Sequence, residues 1–124
     1  MRYLGIERAC PPEILRIARR ARRWVRRQSG GCVSGWCEEA SNRLVRMLNV
    51  ELKISSHTDI REFCVDKRWQ YWHGHVVVIV NRVILDVTGD QFNDLLAVHG
   101  ERVRVRSVVY GSVRELDGYY QGRK

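Results

Sequence analysis

Three side chains able to do covalent chemistry together occur in a telling order along this chain: Cys37, His75 and Asp86. A cysteine attacks an electrophile as the thiolate, so it needs a neighbouring base to take its proton. An imidazole can take that proton near neutral pH and later hand it to a leaving group. A carboxylate on the other ring nitrogen fixes the tautomer and orientation of the imidazole. Such a set would make and break an acyl bond to sulfur, provided the fold brings the three groups together.

The elements that must position them begin with the stretch from Gly74 to Thr88, GHVVVIVNRVILDVT. Two runs rich in β-branched residues flank Asn81 and Arg82, and Asn tolerates the positive φ of a two-residue hairpin turn. With that turn, Val80 faces Val83, Val78 faces Leu85, Val77 faces Asp86 and Val76 faces Val87. Side chains alternate between the faces of a strand and cross-strand partners share a face, so His75, Val77 and Asp86 point the same way. His75 and Asp86 become diagonal neighbours within reach of a hydrogen bond. A slip of one residue in the turn would send Asp86 to the opposite face.

Cys37 is expected at the start of a helix. Ser34 is a candidate N-cap, and Cys37, Ala40, Ser41, Leu44, Met47 and Leu48 then follow one face to about Asn49. The partial positive charge of a helix N-terminus favours a thiolate there, while Glu38 and Glu39 suit the dipole and oppose the thiolate. An earlier helix is expected from Pro12 to Gln28, because proline is tolerated in a first turn and Ser29-Gly30-Gly31 ends it. Its buried stripe is Ile14, Ile17, Ala18, Ala21 and Val25. Arginines cover its remaining surface, and Arg19, Arg20, Arg23 and Arg27 form a candidate basic binding surface.

Elsewhere the pattern is plainer. Val50 to Ser55 alternates like a strand, Ser56 to Asp59 reads as a polar loop, and Glu62 to Val65 as a short strand. Asp66-Lys67-Arg68 reads as a turn, a short helix fits Asn93 to Val98, and Arg102 to Val109 alternates as a last strand. The tail from Gly111 to Lys124 has no clear period and is expected to be mostly irregular. Helices followed by strands predict an α+β domain spanning residues 1–124, with two N-terminal helices on an antiparallel sheet of four or five strands.

Composition narrows the classes. At 124 residues the chain fits one domain. It has no apolar run of the ~18 residues a membrane span needs. The N-terminus lacks a basic segment followed by an apolar core, so a cytoplasmic location is expected. Four cysteines are few for a disulfide scaffold, which favours free thiols. Twenty-two Lys+Arg against 14 Asp+Glu leave a charge of +8, which favours acidic partners in general.

The segments Ser34-Gly35-Trp36-Cys37-Glu38-Glu39-Ala40-Ser41, Gly74-His75-Val76-Val77-Val78 and Ile84-Leu85-Asp86-Val87-Thr88, followed by Gln91-Phe92, resemble the core of the papain-like and transglutaminase-like superfamily. The resemblance covers roughly residues 34–92. It implies a helix bearing a nucleophilic Cys37 against an antiparallel sheet bearing the base His75 and the orienting Asp86. It implies an oxyanion hole made by the cysteine backbone N–H and a second donor, for which Gln28 and Trp36 are candidates. The activity it implies is thiol-dependent acyl transfer or hydrolysis at an amide bond, as in a cysteine peptidase, amidase, deamidase or transglutaminase. The substrate would be a protein or a small amide, and no metal or cofactor is implied. His73 shares the parity of His75 but lies one step further from Asp86. A zinc site built from Cys32, Cys37, His73 and His75 is a rival that leaves Asp86 without a role. The competing class is a non-catalytic basic module that binds nucleic acid or an acidic protein through the arginine helix and Arg102, Arg104 and Arg106.

Overall fold

Asn81 and Arg82 have φ of 52° and 65° in the computed structural model of the protein, which describes residues 1–122. Two successive left-handed residues make the hairpin turn whose twist matches its flanking strands. The strands they join are the third and fourth of six among the described residues. In chain order the elements are β1 (Arg2–Ile6), α1 (Pro12–Gln28), α2 (Cys37–Leu52), β2 (His57–Asp66), β3 (Tyr71–Val80), β4 (Val83–Asp86), a 3-10 turn (Gly89–Phe92), α3 (Asn93–Val98), β5 (Val103–Ser112) and β6 (Tyr120–Gly122). The fold is α+β.

The helix α1 has its expected bounds, and its buried residues are Ile14, Ile17, Ala18, Ala21 and Val25. Gly30 and Gly31, at φ 71° and 100°, close its end, and the Gly31 N–H returns to the Arg26 carbonyl at 2.8 Å. Glycine accepts those angles without strain. The helix α2 departs from expectation at both ends. Trp36 occupies the N-cap position without a side-chain cap, so Ser34 does not cap this helix. At the other end the helix continues to Leu52, and the strand expected from Val50 to Ser55 does not form. Leu48 and Leu52 stand four residues apart on the face toward the core, where Leu52 and Ile54 pack, whereas Val50 is 60% exposed. Lys53 then turns left-handed at φ 56°, and the Ile54 N–H bonds the Leu48 carbonyl at 3.1 Å, a tight helix end.

The sheet order is β1-β5-β4-β3-β2-β6. It has six strands rather than four or five, and it is mixed, because β1 runs parallel to β5 while the other neighbours are antiparallel. β2 begins at His57, inside the stretch expected as a loop. The tail is not irregular throughout, since β6 adds to β2 by pairing Tyr120 with Phe63. Arg123 and Lys124, also part of that tail, lie outside the described residues.

One face of the sheet, through Val78, Val80, Val83, Leu85, Val87 and Val108, packs on α1 and α2. The other face, through Phe63, Val77, Ile79, Ile84, Val105 and Val109, packs on Phe92, Leu96, Leu116 and Tyr120. The β3–β4 register is the one the turn dictates, from Val80 with Val83 to Val78 with Leu85. It ends there. The pairs expected further on, Val77 with Asp86 and Val76 with Val87, are not part of the ladder. Instead β3 continues beside β2, with His75 opposite Arg61, and β4 stays with β5, with Asp86 opposite Val109. The parted strands open the sheet beside the site.

Candidate active site

A backbone left without a strand partner needs another one when buried. At the parting the N-terminal turns of α2 supply it: Ser41 Oγ donates to the Val76 carbonyl at 3.1 Å, and the Val76 backbone N–H donates toward the Cys37 sulfur. Residues four apart on a helix share a face, so Ser41 and Cys37 reach the same strand. This docking also brings the Cys37 thiol beside the His75 ring, close enough for each to shift the other's proton affinity.

His75 is 1% exposed and Asp86 2%. Both point to the face opposite the helices, as the parity of Val77 and Ile84 requires. His75 Nε2 lies 2.9 Å from Asp86 Oδ2. That leaves Nδ1 free of the carboxylate, as a base needs when one nitrogen handles the proton and the other is held. Asp86 is itself held by donors: the Thr88 N–H reaches Oδ1 at 3.0 Å and the Tyr120 hydroxyl donates to Oδ2 at 2.8 Å. Phe92 sets its ring edge against His75, centroids 5.0 Å apart and planes at 82°. Gly89 is demanded by this packing. A Cβ there would clash with Asp86 Oδ2 and stand 2.7 Å from Tyr120 Oη.

Burial works against charge on every member of the set, and their mutual contacts outweigh it. For His75, desolvation lowers proton affinity, but the Asp86 carboxylate, its hydrogen bond and the Cys37 sulfur raise the pKa from 6.5 to about 9. For Cys37, desolvation raises the pKa, but hydrogen bonds from His75 and Val76 and the imidazolium charge bring it below the ordinary thiol value. For Asp86, desolvation is again the largest influence, and His75, Thr88 and Tyr120 together hold the carboxyl below its usual range. Burial and the facing Asp86 push the Tyr120 phenol well above its usual value, so it stays a donor. Both shifts run in the direction of a thiolate beside an imidazolium. Cys10 and Cys64 differ: burial pushes both thiols up.

No protein-family model, curated protein or solved structure matches this chain. Its chemistry must therefore be read from the geometry.

The other expected residues are placed as follows. Gln28 is the exposed last residue of α1, and Trp36 uses its N–H on the Val33 carbonyl at 3.1 Å while packing beside the helix-side core. The amide that does approach the histidine is that of Gln91. Its Nε2 donates to the Thr88 carbonyl at 3.0 Å and lies 3.5 Å from His75 Nδ1, and its Oε1 accepts the Gly35 N–H at 3.3 Å. His73 stands opposite Phe63, with its ring centroid 5.1 Å from that of Tyr71, and Asp86 bonds His75 instead. Among the described residues no group of three or more His, Cys, Asp or Glu side chains is placed to hold a metal ion. Arg20, Arg23 and Arg27 share one cleft, whereas Arg19 lines another with Ile6 and Arg106. A cleft of about 780 Å³ lies at the hairpin turn around Asn81 and Arg82, away from Cys37, His75 and Asp86.

Two supporting residues escaped the sequence reading. Arg22 donates to the Val87 carbonyl at 2.8 Å and grips Asp90, tying α1 to the loop after Asp86. Its signal was an arginine four residues after Ala18 and three before Val25, inside the apolar stripe. Tyr120 left no such signal, because its tail has no period.

Proposed function

We propose that this chain is a cysteine-dependent enzyme that transfers or hydrolyses an acyl group at an amide bond. The observation carrying the reading is the buried 2.9 Å contact between His75 Nε2 and Asp86 Oδ2, with the Cys37 thiol interacting with the same imidazole. The order of a cysteine-bearing helix, a histidine strand and an aspartate strand also supports assigning the α+β fold to a papain-like or transglutaminase-like core.

In the proposed reaction the Cys37 thiolate adds to the amide carbonyl carbon, forming a C–S bond and an oxyanion. Collapse of that intermediate breaks the C–N bond, and the leaving amine takes its proton from His75. Water or an acceptor amine then attacks the thioester, His75 removes its proton, and the thiolate departs. As the first residue of α2, Cys37 has a backbone N–H with no intrahelical acceptor, which suits it to hold the oxyanion. The Gln91 amide is the candidate second donor. A protein or a small amide is the substrate class.

Iodoacetamide labelling across pH tests the reading. Cys37 of the native chain is expected to alkylate as a thiolate below neutral pH, and His75→Ala should abolish that reactivity. Equally slow labelling of all four cysteines would overturn it.

A further inference from the structure

The cleft between α1 and α2 is crowded with positive charge, most of it without an acidic partner among the described residues. Arg20, Arg23, Trp24 and Arg27 of α1 and Arg43 and Met47 of α2 line a volume of about 220 Å³. Among the described residues, Arg20 alone of these four arginines has an acidic partner, Glu51 at 2.6 Å. A second cleft, of about 340 Å³, shares Arg23 and Arg27 and adds Arg26 and Gly31, so the basic surface continues past the end of α1. Like charges at helical spacings of three and four destabilise a helix by tenths of a kcal/mol per pair. An anion seated between them would relieve this repulsion.

One of the guanidinium groups is fixed in advance. Arg43 lies over the Trp24 ring at 4.7 Å from its centroid, and its Nε is buried without a hydrogen-bond partner. Its terminal nitrogens remain a planar fork, the shape that pairs with two oxygens of a phosphate. From Arg20 to Arg27 the helix advances roughly 10 Å. Successive phosphates of one duplex strand advance ~3.4 Å along the axis, so the row can meet several of them at once. With Arg43 covering Trp24, that ring is not free to stack on a base.

From these features we infer that the α1–α2 cleft binds the phosphate backbone of a nucleic-acid duplex, independently of base sequence. Arg23, Arg27 and Arg43 supply the contacts, and Trp24 holds Arg43 in place. The site stands apart from the thiol chemistry and does not rest on it.

Fluorescence anisotropy of the full chain with a short fluorescein-labelled DNA duplex, over a salt series, tests the inference. Arg23→Gln/Arg27→Gln is compared with Arg102→Gln/Arg114→Gln; each pair removes two exposed arginines that have no acidic partner among the described residues. The wild-type chain should bind with steep salt dependence. The cleft pair should weaken binding about 10-fold at low salt and reduce the slope of log Kd against log salt by about 2, while the control pair leaves both nearly unchanged. Arg43→Lys, which keeps the charge and loses the planar fork, should also weaken binding. Equal losses from the two pairs would show a diffuse charge effect and overturn the inference. So would no duplex binding at low salt, or equal affinity for vesicles containing phosphatidylglycerol.

Discussion

Arg22 holds Asp90 by both terminal nitrogens, Nη1 to Oδ1 at 2.6 Å and Nη2 to Oδ2 at 2.7 Å. The pair joins α1 to the loop that leaves Asp86, and Nη1 also binds the Val87 carbonyl within that loop. Their side chains are only 14% and 22% exposed, so solvent screens the contact weakly. The arginine helix therefore supports the candidate active site as well as carrying a basic surface.

Replacing Arg22 tests this tie. Arg22→Ala is expected to destabilise the fold by about 3 kcal/mol, since it strands a half-buried carboxylate and a backbone carbonyl. Arg22→Lys should recover only part of that, because an ammonium cannot match the two-pronged contact. Urea denaturation measures both, and Cys37 alkylation should slow in each variant as the loop bearing Thr88 and Gln91 loosens.

The titration of the pair sets a pH window. Folding raises the His75 pKa from 6.5 to about 9, so its contribution to stability is full below the lower value and lost as pH rises through about 9. Cys37 is shifted down, so its contribution is present at high pH and lost as pH falls through its lowered value. Amide turnover should follow a bell with its alkaline limb near pH 9, where His75 loses the proton it gives to the leaving group. Asp86→Asn should move that limb to lower pH and cut turnover by roughly 10²- to 10⁴-fold. A histidine NMR titration alongside the pH–rate profile checks both shifts.

Tyr120 is expected to matter more for stability than for the thiol. Tyr120→Phe removes the donor 2.8 Å from the buried Asp86 carboxylate, a loss of about 2 kcal/mol for a hydrogen bond to a charged group. Thermal or urea unfolding should show it. The dependence of Cys37 alkylation on His75 should persist, because Asp86 still accepts from His75 and Thr88.

Gly89→Ala should destabilise by about 2 kcal/mol or more, since overpacking at fixed atoms costs ~1–3 kcal/mol. The atoms its Cβ would meet, Asp86 Oδ2 and Tyr120 Oη, are hydrogen-bonded to each other and cannot both move freely. Expression, unfolding midpoint and thiol reactivity should all fall together.

The hairpin turn offers a change in the opposite direction. Arg82 adopts φ 65°, where glycine is favoured over residues with a Cβ. Arg82→Gly creates the preferred Asn-Gly turn and should stabilise the fold by about 1 kcal/mol, a gain visible in the urea midpoint. A loss of stability would overturn this expectation.

Local patterns settled several elements before any tertiary contact. The turn tendency of Asn81 between two β-branched runs set the β3–β4 register and put His75 and Asp86 on one face. Pro12, the Ile14-to-Val25 stripe and the Gly30-Gly31 pair bounded α1, and residues 93–98 form the expected short helix. Each depends on interactions within a few residues, which is why each is legible locally. Alternation misled at Val50 to Ser55, because Leu48, Leu52 and Ile54 serve a helix end as readily as a strand.

What the sequence by itself determined is the hairpin, the first helix and the shared face of the histidine and the aspartate. Only the tertiary structure decided the rest. β1 forms because β5 lies beside it, and β6 forms because β2 offers an edge. The β3–β4 ladder stops at Val78 and Leu85, and that parting lets Cys37 and Ser41 dock on Val76. Tyr120, Gln91 and Arg22 converge on the site from distant positions. Those contacts bring together residues tens of positions apart, and no local periodicity encodes which distant groups will satisfy a buried carboxylate or an unpaired strand edge.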